Sequence, residues 1–205
     1  MTAAKSGLTA AQQERRERIL DAGLALLGER DYDRIQVKDV AEHASVALGT
    51  LYHYFPSKEQ LFAEVLVRWA ATLRTSISRN PLRGTTDAER LTQVMNRSVR
   101  AFQRQPALAR VVAMLETSTE PFATEILDRL GETTSEIYVE ALHDVDRETA
   151  HRIVRVVDAM LASRLRSWLA GRISIATVSD DLADAIRLLL EEQPERAAIA
   201  QTARS

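Results

Sequence analysis

Residues 37–62 read VKDVAEHASVALGTLYHYFPSKEQLF, and their apolar positions, Val37, the pair Val40-Ala41, Val46, Leu51 and Phe55, recur at three- to five-residue steps. Two short helices that fold back on a third helix need that spacing. The pattern predicts helix 2 over VKDVAEHA from Val37 and helix 3 over ALGTLYHY from Ala47, parted by the small turn Ser45-Val46. Pro56-Ser57 stops helix 3, because proline lacks the N–H a continuing helix requires. Ser57 and Gln60 then form a capping box that opens a long helix 4 carrying Leu61, Val65, Leu66, Trp69 and Leu73. Between its apolar anchors helix 3 keeps the small pair Gly49-Thr50, which a plain three-helix core has no reason to display.

Upstream, Thr9 and Gln12 pair as a capping box for helix 1, which ends near Gly28 and whose face Ile19, Ala22, Gly23, Leu26 and Leu27 completes a three-helix unit with helices 2 and 3. Downstream, Asn80 to Thr85 holds a proline and a glycine and breaks the chain most clearly. Thr86 and Glu89 cap helix 5 (Leu91, Met95, Val99, Phe102), Pro106 starts helix 6 and Pro121 starts helix 7. Helix 8 is expected over about 147–170 and helix 9 over about 178–191. Alternation of period two is nowhere sustained, so the fold class is all-α. The expected organisation is a helix-turn-helix domain over 9–56, a larger helical bundle over 57–192 and a flexible tail over 193–205, about nine helices with helix 4 as the joint.

The 205 residues include no cysteine, which excludes disulfides, thiolate metal sites and cysteine nucleophiles. No segment has the apolar run of a signal peptide or membrane span, and the protein is expected to be cytoplasmic, with no membrane partner. A net charge of −2 gives composition no part in a nucleic-acid argument. That argument rests on where individual cations and helix ends sit.

Gly49-Thr50-Leu51-Tyr52-His53-Tyr54-Phe55-Pro56-Ser57-Lys58 resembles the recognition-helix signature of the TetR family nearly letter for letter. The resemblance implies a transcriptional repressor that binds double-stranded palindromic operator DNA as a homodimer and is released by a small-molecule effector. It implies DNA contacts from Gln36, Lys38, Ala47, Leu48, Gly49, Thr50, Tyr52, His53 and Lys58. Gly49 would let the backbone approach DNA, Thr50, Tyr52 and His53 would offer donors, and Lys58 would meet a phosphate. Three positions depart from the commonest pattern: Gln36 replaces a capping Ser or Thr, Ser45 a turn glycine, and Ala47 a capping Ser. Ala47 and Leu48 gain in exchange apolar surface suited to thymine methyls. RRERILDA at 15–22, RAFQRQPAL at 100–108 and a spaced pattern from Ser163 to Leu190 are similar to the sterol-catabolism repressors of that family, the KstR group. That likeness implies a sterol-derived acyl-CoA or related hydrophobic effector and genes of lipid or steroid catabolism.

The expected effector pocket draws on Trp69, Met95, Val99, Phe102, Val111, Leu115 and Trp168, and the expected dimer interface on Ala159, Ser163, Ser167, Leu182, Ala185, Ile186 and Leu189 from helices 8 and 9. No nucleophile elbow, phosphate-cradling glycine loop or zinc-ligand pattern appears, so no catalytic residue, metal or cofactor is expected. Glu140/His143 and Glu148/His151 have the i, i+3 spacing of di-metal bundles. A loop is expected between them, where such a site needs facing mid-bundle helices. The rival reading is a helical-bundle enzyme or lipid-binding protein that retains the N-terminal fold.

Overall fold

A computed structural model describes residues 8–191, which form nine α-helices and one 3₁₀ turn with no strand among the described residues. The expected tail over 193–205 lies outside them. The helices are α1 (Ala10–Glu29), α2 (Val37–His43), α3 (Leu48–Tyr54), α4 (Lys58–Ser78), α5 (Asp87–Arg104), α6 (Pro106–Thr117), α7 (Pro121–Val139), α8 (Arg147–Leu169) and α9 (Ile175–Leu190). Most starts have a visible chemical cause. Thr9 and Thr86 each make the full capping box, and Ser57, Asp146 and Ser174 each accept from the backbone N–H three residues on. Prolines open α6 and α7 at the first helical position, where a missing N–H costs nothing.

Three features differ from the sequence reading. Ser57 accepts from the Gln60 N–H without the return bond of a full capping box. The 3₁₀ turn Tyr32–Arg34 stands in what reads as a loop, and α9 starts at Ile175 rather than near 178. Ser174 caps the Thr177 N–H, while Gly171, at φ 68°, closes α8 in the left-handed conformation that favours glycine.

α4 is the joint. It packs on α1 of the small module and on α7 of the bundle, while α5 packs on α9 and α8 on α6, α7 and α9. The α1–α4 contact is close because Gly23 faces Val65: a Cβ there would lie 2.9 Å from Val65 Cγ2. Ile19, Leu51, Phe55, Phe62, Val65 and Leu66, all under 2 % exposed, continue without a gap into the bundle core around Leu91, Met95, Leu108 and Leu115. At the start of α5 Asp87 accepts from the backbone N–H groups of His143 (2.7 Å) and Asp144 (2.9 Å) and pairs with Arg90. Burial pushes its carboxyl up, but these donors outweigh that and hold it below the ordinary value. The start of α5 is thereby stapled to the α7–α8 turn.

Candidate functional site

The helix-turn-helix closes on its apolar positions. Val40, Ala41, Leu51 and Phe55 are buried, and the turn between α2 and α3 is made by Ser45 at φ 54°. A non-glycine residue is tolerated there at some conformational cost, and the glycine usual in the family would bear less. Val46 N–H donates to Ala41 O at 2.9 Å, finishing α2. The two departures at caps have different outcomes. Asp39 Oδ2 accepts from the Gln36 N–H at 3.0 Å and serves α2 from its third position, whereas Ala47 caps α3 with no side-chain bond.

Gln36, Lys38, Ala47, Leu48, Gly49, Tyr52 and His53 are exposed, and Thr50 is half-buried. Leu48 and Tyr52, one helical turn apart, are 43 % and 45 % exposed, unusual for large side chains on a seven-residue helix. A Cβ on Gly49 would meet nothing within 4 Å, so the fold itself does not require glycine there. Lys58 is half-buried: its Nζ donates to Tyr32 O at 2.7 Å and lies 4.3 Å from the Tyr32 ring centroid. An ammonium carries three N–H bonds, so this anchoring leaves donors for a phosphate.

In the bundle, a cavity of about 270 Å³ lies among α4–α8, walled mostly by apolar side chains such as Trp69, Leu73, Phe102, Leu130 and Leu161, with Gly131, Thr134, Tyr138 and two carboxylates, Glu116 and Asp158. Of the expected pocket residues, Trp69 and Phe102 line it. Met95, Val99, Val111 and Leu115 do not: at 0–1 % exposure they are packed core, and α5 and α6 turn them away from the cavity. Trp168 packs against the core without reaching the cavity wall. Val112 lines it instead of its neighbour Val111. The α7 and α8 wall, from Leu127 to Tyr138 and from Asp158 to Leu165, was missed, and the residue in it with chemistry to offer is Asp158. It follows Val154 by four and precedes Leu161 and Leu165 by three and seven, so an acid on the apolar stripe of α8 was the available signal.

Leu73 also borders a second, open cleft of about 620 Å³ lined by Arg83, Arg97, Arg100 and Arg104 and by no carboxylate. Arg97 is fixed by the carbonyls of Ile77 (3.2 Å), Asn80 (2.6 Å) and Pro81 (3.3 Å).

The expected dimer residues divide. Ala159 and Ser163 are exposed, and Ser167, Ala185 and Leu189 half-buried. Leu182 (1 %) and Ile186 (0 %) are core within the chain, covered by α5 and α8, and present nothing to a partner. The exposed large apolar residues of these helices are Val156 (54 %) and Leu188 (55 %).

Residues 19–65 match the model of the bacterial regulatory proteins of the tetR family, and residues 84–189 that of the tetracyclin repressor-like C-terminal domain. The chain belongs to the TetR family. The TetR match covers the helix-turn-helix and the bundle separately, and it makes the protein a transcriptional regulator rather than an enzyme. A relative in Mycolicibacterium smegmatis, named HTH-type transcriptional repressor KstR, is 37 % identical over 90 % of this chain and 92 % of its own. A TetR regulator from Rhodococcus sp. RHA1 of known structure is 28 % identical with a TM-score of 0.76, covering 88 % of this chain and 97 % of that one. FadR from Bacillus subtilis, solved with stearoyl-CoA, shares the fold at a TM-score of 0.62 and 18 % identity, over 85 % of this chain and 97 % of its own. Among the described residues no helix is long and apolar enough to cross a membrane.

Proposed function

We propose that this TetR repressor binds operator DNA as a homodimer and is released by an acyl-CoA-type effector, an apolar body joined to a phosphorylated head. The observation that carries the effector class is the adjacency, through Leu73, of an apolar cavity and a cleft with four arginines and no acid. Arginine is the side chain of choice for phosphate, and a neighbouring apolar wall suits the tail of the same molecule. That a FadR relative was solved with stearoyl-CoA supports the class, and the KstR relatives favour a sterol-derived or other lipid-derived tail.

Release follows from how α7 is held. Leu127, Leu130 and Gly131 face the cavity, and Arg129 between them grips Glu64 of α4, which also binds Arg16 of α1. An effector that binds the DNA-incompetent arrangement more tightly would shift the equilibrium through this chain of contacts. Calorimetry with lauroyl-CoA, laurate and CoA tests the reading, together with a mobility shift on an operator selected from random sequence. The thioester is expected to bind at least tenfold more tightly than either part and to release the DNA. Equal binding of lauroyl-CoA and laurate would remove the head-group role of the arginine cleft.

A further inference from the structure

Asp158 stands out in the cavity. Its neighbours along the wall are Leu161, Ala162 and Leu165 of α8, and across it lie Trp69, Leu73 and Phe102 of α4 and α5. Among the described residues the carboxyl has no ion-pair partner. The nearby Glu116 of α6 is already paired with Arg166, and the Tyr138 hydroxyl of α7 is engaged with Ser98 Oγ at 3.0 Å. Burial, and then the negative charge of Glu116, push the Asp158 carboxyl up to about 6, so near neutral pH it is still mostly an anion and an acceptor. The chamber is lined mostly by apolar side chains, and its other polar members, Glu116, Thr134 and Tyr138, are each engaged elsewhere, so Asp158 is the acceptor left without a partner, and a partly buried, unpaired acceptor destabilises the fold.

We propose that Asp158 sets effector specificity by accepting a hydrogen bond from a hydroxyl or protonated amine on the apolar part of the effector, so that the cavity selects a donor-bearing hydrophobic molecule over a plain hydrocarbon chain. The inference rests on the cavity being the effector site, but not on the nature of the head group. Donor and carboxylate satisfy each other only in the complex, and a ligand lacking the donor leaves the carboxylate desolvated and unpaired. A site built for a hydroxyl therefore rejects the analogue lacking one more strongly than an apolar site rejects a missing methylene. Because α8 packs on α6, α7 and α9, while α4 and α5 supply the wall nearest the arginines, the donor belongs on the part of the tail that meets α8.

The test uses probes with no head group, read by Trp69 fluorescence in a Trp168→Phe background. 1-Octanol, octylammonium and 1-methoxyoctane carry the same chain, and the ether has no donor. The full-length protein is expected to bind octanol or octylammonium at least fivefold more tightly than the ether. Asp158→Leu should erase that preference and bind the ether more tightly than the parent does, while Asp158→Asn, which keeps an acceptor oxygen, should retain part of it. The alcohol and amine arms tell which donor is preferred. Binding of all three with the same ratios in parent and Asp158→Leu overturns the inference and leaves the cavity intact as an effector site. Failure of every probe to bind either protein overturns the cavity reading and the inference with it.

Discussion

Arg129 of α7 holds both carboxylate oxygens of Glu64 of α4, at 2.7 and 3.2 Å, while Arg16 of α1 reaches the same carboxylate at 2.7 Å. The Glu64 side chain is only 15 % exposed. Burial alone would raise its carboxyl, but the hydrogen bonds and charges of Arg129 and Arg16 dominate and hold it below the ordinary value. One residue of the joint helix therefore ties the wall of the cavity to the helix that supports the DNA-binding module. Three further ion pairs, Arg68 with Glu17 and with Asp21 and Arg110 with Asp31, span the same boundary.

Glu64→Gln removes the charge both arginines share. It is expected to leave effector and operator affinities measured separately within a few-fold of the parent, yet to reduce their coupling by about 0.5–2 kcal/mol. Operator dissociation constants with and without saturating effector give the coupling directly. An unchanged ratio would place the transmission elsewhere, with the Arg110–Asp31 pair next in line.

On the recognition helix, Tyr52→Ala should weaken operator binding by about 1–3 kcal/mol. At 45 % exposure the ring contributes little to the core, so the melting temperature should hardly move. Lys58→Ala should instead lower both stability and the salt dependence of binding, because the same ammonium is bonded to Tyr32 O. A Tyr52 variant with parental affinity would remove α3 as the reading element.

Gly131 sits mid-helix in α7 against the cavity, and a Cβ there meets nothing within 4 Å. Gly131→Leu should therefore direct a side chain into the chamber from a Cβ that has room, and replacing the helical glycine should gain up to about 1 kcal/mol of helix stability. The variant is expected to bind operator normally and no longer respond to effector. Full inducibility would show that the effector bypasses this chamber.

How far the residues alone could carry the fold depends on what each position reports. Caps and prolines name helix starts by local chemistry, so Thr9, Ser57, Thr86, Pro106 and Pro121 were legible, and so was the face of α3, fixed by Leu51 and Phe55. Apolar periodicity reports that a face is covered but not what covers it. Met95, Val99, Val111 and Leu115 therefore looked like pocket and are core, and Leu182 and Ile186 looked like interface and are covered by the chain's own helices. Asp158 escaped for the converse reason: a single acid on an apolar stripe reads as a surface residue until the cavity is seen.

Asp158 also makes a pH prediction. Its folded value is raised from 3.8 to about 6, so the folded state holds the proton more tightly. The stabilising effect of that proton is fully present below about 3.8 and is lost as pH rises through about 6. At about 1.4 kcal/mol per unit, Asp158→Asn should be more stable than the parent above pH 7 by up to about 3 kcal/mol. The gap should close on acidification. Glu64 and Asp87, whose carboxyls are lowered, lose their stabilising contributions as pH falls, but they do so in both proteins and cancel in the difference. Denaturant melts from pH 4 to 8 measure it, and a pH-independent gap would mean the carboxyl is solvated.

The last prediction concerns the proposed homodimer, since a palindromic operator would need a two-fold protein. On α8 the exposed positions Val156, Ala159 and Ser163 follow one another at three- and four-residue steps, which places them on one face, and Ser167 continues it. α9, packed alongside, offers Leu188 with half-buried Ala185 and Leu189. Exposed valine and leucine on adjacent helices, flanked by small residues that admit close approach, form the surface best suited to a second copy. Val156→Asp with Leu188→Asp is expected to give a folded monomer with weak operator binding, because both side chains are more than half exposed and the charges meet water in the isolated chain. Ile186→Asp is the contrasting control: at 0 % exposure it puts an unpaired carboxylate into the α5–α8–α9 core and should cost several kcal/mol of folding stability. Sedimentation and thermal melts separate the two outcomes. A Val156→Asp, Leu188→Asp protein that still sediments as a dimer would move the interface away from the outer face of α8 and α9.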